Sequence, residues 1–163
     1  MTYRTPAHGD TLVIVQGATV QALDVATGTL RWTFELNSAN YKWGQARVCV
    51  SDSQAFVLAI AEEPMGFFSQ NVTPEIISIH LQTGQVLART RLPIALPLGN
   101  ATNVTMLLNS GTLFVGIAAH VFALDAVNNG LRWAHRMPES RPTDEQAYTR
   151  MAMALPGQAV QPD

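Results

Sequence analysis

The side chains able to do chemistry are few and poorly spaced for it. The four histidines, His8, His80, His120 and His135, show none of the i, i+4 spacing that puts two imidazoles on one helix face around a metal. Cys49 is the single cysteine, which rules out an intramolecular disulfide and a cysteine-based zinc cage. It alternates with Val48 and Val50, the setting of a buried thiol rather than of a nucleophile, which must work as a thiolate. The carboxylates are scattered. Glu62 and Glu63 are adjacent, but neighbours in sequence rarely face one ion, and a hard calcium-like cation takes roughly six to eight oxygens. No Gly-x-Ser-x-Gly elbow, Walker loop or Gly-x-Gly-x-x-Gly turn occurs. These residues predict no catalytic group, no metal and no cofactor.

Composition narrows the class further. The chain has 163 residues, 47% hydrophobic and only 13% charged, against about 25% charged in average usage. That excludes intrinsic disorder for most of the chain, since disorder needs high charge and low hydrophobicity. A net charge of −2 leaves no basic face to displace counterions, so no nucleic-acid partner is expected. Residues 92–124 carry no Asp, Glu, Lys or Arg, but Pro93, Pro97, Gly99, Asn109 and Gly111 interrupt the run. A spanning helix needs about 20 predominantly apolar residues, so no membrane span is expected. The first ten residues lack an apolar signal-peptide core, which predicts a cytoplasmic location unless a leader has been removed.

The elements that would position any site come from an internal repeat. Residues 11–32 match residues 112–133 at a constant offset of 101, pairing Val20 with Val121, Leu23 with Leu124 and Arg31 with Arg132. A weaker copy, Ser78-Ile79-His80-Leu81-Gln82-Thr83-Gly84, lies between them. Its distance of 45 residues to the last copy falls in the roughly 40–45 residues of a four-stranded propeller blade. The longer gap before it reflects an insertion at residues 62–74. Each unit reads as short strands rich in β-branched and aromatic residues, such as Leu12-Val13-Ile14-Val15 and Phe56-Val57-Leu58-Ala59-Ile60. Turn signals separate them at Gly17-Ala18, Thr27-Gly28, Thr83-Gly84, Ser110-Gly111 and Asn128-Asn129-Gly130. The predicted fold is all-β: a propeller of about three four-stranded blades. The blades run over about 2–36, 46–92 and 103–137, followed by a strand or helix at about 144–160.

Ala22, Asp24, Thr27, Gly28 and Trp32 fit the pattern Ala-x-Asp-x-x-Thr-Gly-x-x-x-Trp. This resembles the tryptophan-docking motif of the pyrroloquinoline-quinone-like (PQQ-like) β-propeller repeat. The resemblance implies that Trp32 lies on an outer strand against a neighbouring blade, with Thr27 and Gly28 in the turn and Asp24 bonding local backbone. The last copy keeps Ala123, Asp125 and Trp133 but has Asn128 and Asn129 for Thr and Gly, which Asn tolerates. The middle copy has Ser78, His80 and Ala88 at the Ala, Asp and Trp positions, so one tryptophan dock is expected to be missing. Family dehydrogenases bind quinone and calcium through dedicated acidic, Asn and Arg residues, often beside a vicinal cysteine pair. Cys49 has no such neighbour.

Loop length predicts the binding face. The first-to-second and third-to-fourth strand turns are short, whereas the opposite face carries residues 37–45, 62–74, 93–102 and 138–147. Tyr41, Trp43, Met65, Phe67 and Phe68 lie in these loops and are the contact candidates, since aromatics and Met are enriched in interface cores. Trp43 and one Phe could equally plug the floor of the loop layer. The favoured function is a non-catalytic bacterial scaffold that binds a protein partner. A fragment of a quinone-dependent dehydrogenase and a small-ligand or glycan-binding propeller are the alternatives.

Assembly follows from blade number. Closed propellers use roughly 4–8 blades, and three alone leave open edges that natural proteins avoid. Blade one begins in effect at residues 11–16, with only residues 2–6 for its first strand. Residues 150–157 read against residues 104–111 as a surplus first strand. A helix is the competing reading there, with a capping box at Thr143 to Gln146. The strand reading predicts a homodimer in which each chain completes the other, making a six-bladed ring.

Overall fold

The computed structural model describes residues 7–36, 46–65, 69–94, 96–97, 104–117 and 119–138. They form thirteen strands in three antiparallel sheets. The first sheet runs in the order β1 (Ala7–His8), β2 (Thr11–Gln16), β3 (Thr19–Asp24), β4 (Leu30–Glu35). The second contains β5 (Ala46–Val50), β6 (Gln54–Met65), β7 (Ser69–His80) and β8 (Val86–Arg91), with β9 (Leu96–Pro97) added beside β7. The third is β10 (Val104–Asn109), β11 (Thr112–Ile117), β12 (His120–Asp125) and β13 (Leu131–Arg136). This is the all-β, four-stranded-blade architecture that the repeat predicts.

Up-and-down order follows from the turns. At Ser110-Gly111 both residues have positive φ, 47° and 76°, the twist that a two-residue hairpin needs. The connection between third and fourth strands is the same in each sheet. Gly28 N–H donates to the Asp24 carbonyl at 2.8 Å, Gly84 to His80 at 2.9 Å and Asn129 to Asp125 at 2.8 Å. A residue in the left-handed region closes each turn, with φ of 69° at Gly28, 74° at Gly84 and 58° at Asn129.

The sheets bury their faces against one another, giving two cores rather than one. Val13, Val20, Ala22, Trp32 and Leu36 of the first sheet meet Ala55, Val57, Ile77, Ile79 and Leu81 of the second. On the other side of the second sheet, Phe56, Leu58, Ile76 and Leu92 meet Leu113, Val115, Ile117, Phe122 and Leu124. Neighbouring residues of β6 and β7 thus serve opposite cores. A strand buried on both faces explains the continuous apolar runs of the middle copy.

In blade one Ala7–His8 pairs with β2 and ends at a turn at Gly9, whose φ is 58°. Residues 2–6, expected to hold that first strand, and the strand or helix expected at about 144–160 lie outside the described residues. Two sequence expectations are corrected. Residues 62–65 and 69–74 are not loop: β6 and β7 continue pairing in register from Ile60↔Pro74 to Met65↔Ser69. Continued pairing satisfies the backbone groups that a free loop would leave to water. Pro64 and Pro74 lie beyond the β5 and β8 ladders, where a missing N–H costs no sheet hydrogen bond. The stretch 93–102 likewise contains β9, which pairs Asn71 with Pro97 and Val72 with Leu96.

Candidate functional site

The described chemistry gathers at the junctions between blades. In the first sheet Asp24 caps its own turn: Oδ1 accepts from Ala26 N at 2.9 Å and from Thr27 N at 3.0 Å. The Thr27 hydroxyl donates to the same oxygen at 3.1 Å. Asp24 Oδ2 takes Arg31 Nη2 at 2.7 Å, and Asp10 Oδ2 takes the same nitrogen at 2.9 Å. The Arg31 hydrogen bond holds the Asp10 carboxyl down at about 2, helped by Thr11. It also lowers Asp24, together with the Thr27 backbone N–H, and Arg31 itself is raised by the two carboxylates. Arg31 Nη1 then crosses to the second blade, reaching Gln82 Oε1 at 2.8 Å. In the third blade Arg132 pairs with Asp125 at 2.7 Å, and that hydrogen bond again holds the Asp125 carboxyl low.

Trp32 makes the first junction. It pairs with Ala22 in the ladder, is 8% exposed, and its indole N–H donates to the Leu81 carbonyl of the next blade at 2.7 Å. Its ring lies on Gly84, where a Cβ would stand 2.8 Å from the indole Cγ. The second junction is built differently. Ala88 pairs with Ser78 at the corresponding ladder position. The facing turn residue is Asn129, fully buried. Its Oδ1 accepts from Ser78 Oγ at 2.6 Å and its Nδ2 donates to the Ile76 carbonyl at 3.4 Å. An amide fills the place that an indole fills at the first junction, so the Asn128-Asn129 departure is a packing element and not a tolerated variation.

Trp133 has the same ladder position, opposite Ala123, but is 48% exposed. Its ring tilts against Phe114 at 6.0 Å between centroids and 51° between planes. Of the contact candidates, Tyr41, Trp43, Phe67 and Phe68 lie outside the described residues, and Met65 is placed only as the last residue of β6, opposite Ser69. Sequence reasoning missed Gly84, Ser78 and Asn129 as junction residues. The signal available was their co-occurrence, Trp with Gly and Ala with Asn, one blade apart.

The described residues do not fit a quinone–calcium group. Cys49 stands alone, partly buried against the core of the second and third sheets, and burial pushes its thiol up to about 12. Asp10, Asp24 and Asp125 are committed to arginines, and Glu75 lies 3.5 Å from Arg89. Among the described residues no three His, Cys, Asp or Glu side chains converge. No helix among them is long and apolar enough to cross a membrane.

No family model and no curated protein matches the sequence. Solved structures do. BamB from Moraxella catarrhalis superposes with a TM-score of 0.64 at 19% identity, over 93% of this chain and 43% of that one. The chain has the fold of the PQQ-like β-propellers. A quinohemoprotein alcohol dehydrogenase, ADHIIG from Pseudomonas putida HK5, superposes with a TM-score of 0.55 at 11% identity, over 78% of this chain and 25% of that one. The chain thus spans less than half the length of either structure.

Proposed function

We propose that the chain is a non-catalytic propeller module that binds a protein partner on the face reached by the β6–β7 hairpin and that associates with a second copy of itself. The carrying observation is the hairpin. Its two strands continue from Ile60↔Pro74 to Met65↔Ser69, well past the ladder of β5, which ends at Ala46↔Ala59. The corresponding turns in the outer blades close directly after Gln16 and Ile117. An insertion confined to one blade and one face of a repeat array is where such arrays place a binding element. Likeness of fold to BamB and to a quinohemoprotein dehydrogenase does not separate a binding from a redox propeller; the commitment of Asp10, Asp24 and Asp125 to arginines and the lone Cys49 favour binding.

A photo-crosslinking residue placed at Glu63 tests this, with Asn109 on the opposite face as control. The expected result is a protein adduct from the hairpin position alone. Excess unlabelled intact chain should compete that adduct away, whereas excess unlabelled chain with residues 61–73 replaced by Asn-Gly should not, while the circular dichroism of its blades persists. Equal competition by the shortened chain, or dye reduction after reconstitution with the quinone and calcium, would overturn the reading.

A further inference from the structure

We infer that the outer face of the third blade, centred on Trp133, docks on the outer face of the first blade, centred on Gly28, of a second copy of this chain. The inference rests on the self-association proposed above and names its contact. Each open face has a closed counterpart within the chain. Trp32 and Leu36 are 8% and 3% exposed because the second blade covers them, whereas Trp133 and Met137, at the same repeat positions, are 48% and 45% exposed. In the other direction, Leu113 and Leu124 are fully buried against the second blade, while their counterparts Leu12 and Leu23 are only half-buried. The blades already show how one kind of face seats on the other.

The junction chemistry selects the match. A tryptophan of this kind needs a facing turn residue with no side chain, as Trp32 has in Gly84. Among the three described turns, Gly84 is taken and the third carries Asn129, whose buried amide is bonded to Ser78 and Ile76 of β7. Gly28 keeps the left-handed φ of 69°, and nothing lies within 4 Å of where its Cβ would be. Val25 stands where Leu81 stands in the second blade, so its carbonyl is the acceptor for the Trp133 indole N–H. Val25 is 53% exposed, against 1% for Leu81. Two copies joined this way make a ring of about six blades, inside the roughly 4–8 of closed propellers, and the head-to-tail contact ends on itself after the second copy.

Light scattering on the intact chain should give twice the 17.7 kDa chain mass at micromolar concentration. Trp133→Ser and Gly28→Ala should each weaken the dimer at least about tenfold, the scale of a buried aromatic anchor at an interface. Ala26→Gln should tighten it, because Gln82 at the matching position accepts Arg31 across the first junction, and Arg132 of the second copy would gain the same acceptor. Cross-linking gives a readout that does not depend on those variants folding. In a Cys49→Ser background, chains carrying Ala26→Cys mixed with chains carrying Arg132→Cys should join through a short bismaleimide. A dimer that persists in Trp133→Ser and yields no mixed cross-link would overturn this contact while leaving self-association standing. A monomeric intact chain would overturn both.

Discussion

Trp32 lies so close over Gly84 that a Cβ on residue 84 would stand 2.8 Å from the indole Cγ and 2.9 Å from Cδ2. The glycine at this turn is therefore demanded twice: by its φ of 74° and by a ring from the preceding blade. Gly17 makes only the first demand, with φ of 58° and open space beside it.

Gly84→Ala and Gly17→Ala should separate these effects. A left-handed alanine costs roughly 1–2 kcal/mol, and overpacking adds about 1–3 kcal/mol at position 84 alone. Urea denaturation of both variants measures the difference. Equal losses would mean that the indole moves aside freely.

Replacing the indole tests the bond it makes. Trp32→Phe keeps an aromatic ring on Gly84 but leaves the buried Leu81 carbonyl without its 2.7 Å donor. The expected loss is about 1–3 kcal/mol. Trp133→Phe, measured at concentrations too low for association, should stay within about 0.5 kcal/mol, as exposed substitutions do.

The two junction types should be interchangeable as sets and not singly. Ala88→Trp would drive an indole into the space of the buried Asn129 amide and lower stability. Adding Asn129→Gly and Ser78→Ala recreates the Trp32, Gly84 and Ala22 combination and should recover most of the loss. A coupling of about 1 kcal/mol or more among the substitutions, read from thermal or urea unfolding, is the expected signature.

Acid should act on the arginine-held carboxylates. Asp10 is held at about 2, below its ordinary 3.8, chiefly by Arg31. A carboxyl lowered on folding contributes stability that is full above its unfolded value and is lost as pH falls through the folded one. For Asp10 that window runs from about 4 down to about 2, and Asp24 and Asp125 shift in the same direction. Arg31→Met should move the Asp10 titration, followed by carboxyl carbon NMR, back up toward 3.8. An unmoved titration would place the cause elsewhere.

Cys49 should be inert while the protein is folded. Its thiol is pushed up to about 12 by burial, so almost no thiolate exists at pH 8. Iodoacetamide should modify it slowly in buffer and rapidly in denaturing urea. Rapid labelling of the folded chain would contradict the burial.

Much of the fold was legible because its determinants are local. Alternating Val, Ile and Leu in Thr11–Gln16 and Thr112–Ile117, closed by Gly17-Ala18 and Ser110-Gly111, specify paired strands from residues a few positions apart. Repetition at an offset of 101 then specifies blades. What only the tertiary structure decided lies between residues distant in the chain. Leu81 answers Trp32, and Asn129 answers Ser78 from 51 positions away. The β6–β7 extension belongs with these, because the pairing of residues 60–65 with 69–74 depends on a register set by the buried part of the hairpin and not on their own propensity. A residue's own turn or strand preference fixes its backbone, but whether its neighbour in space must be a glycine, a serine or an alanine depends on which volume another blade leaves open, and packing density makes that volume unforgiving.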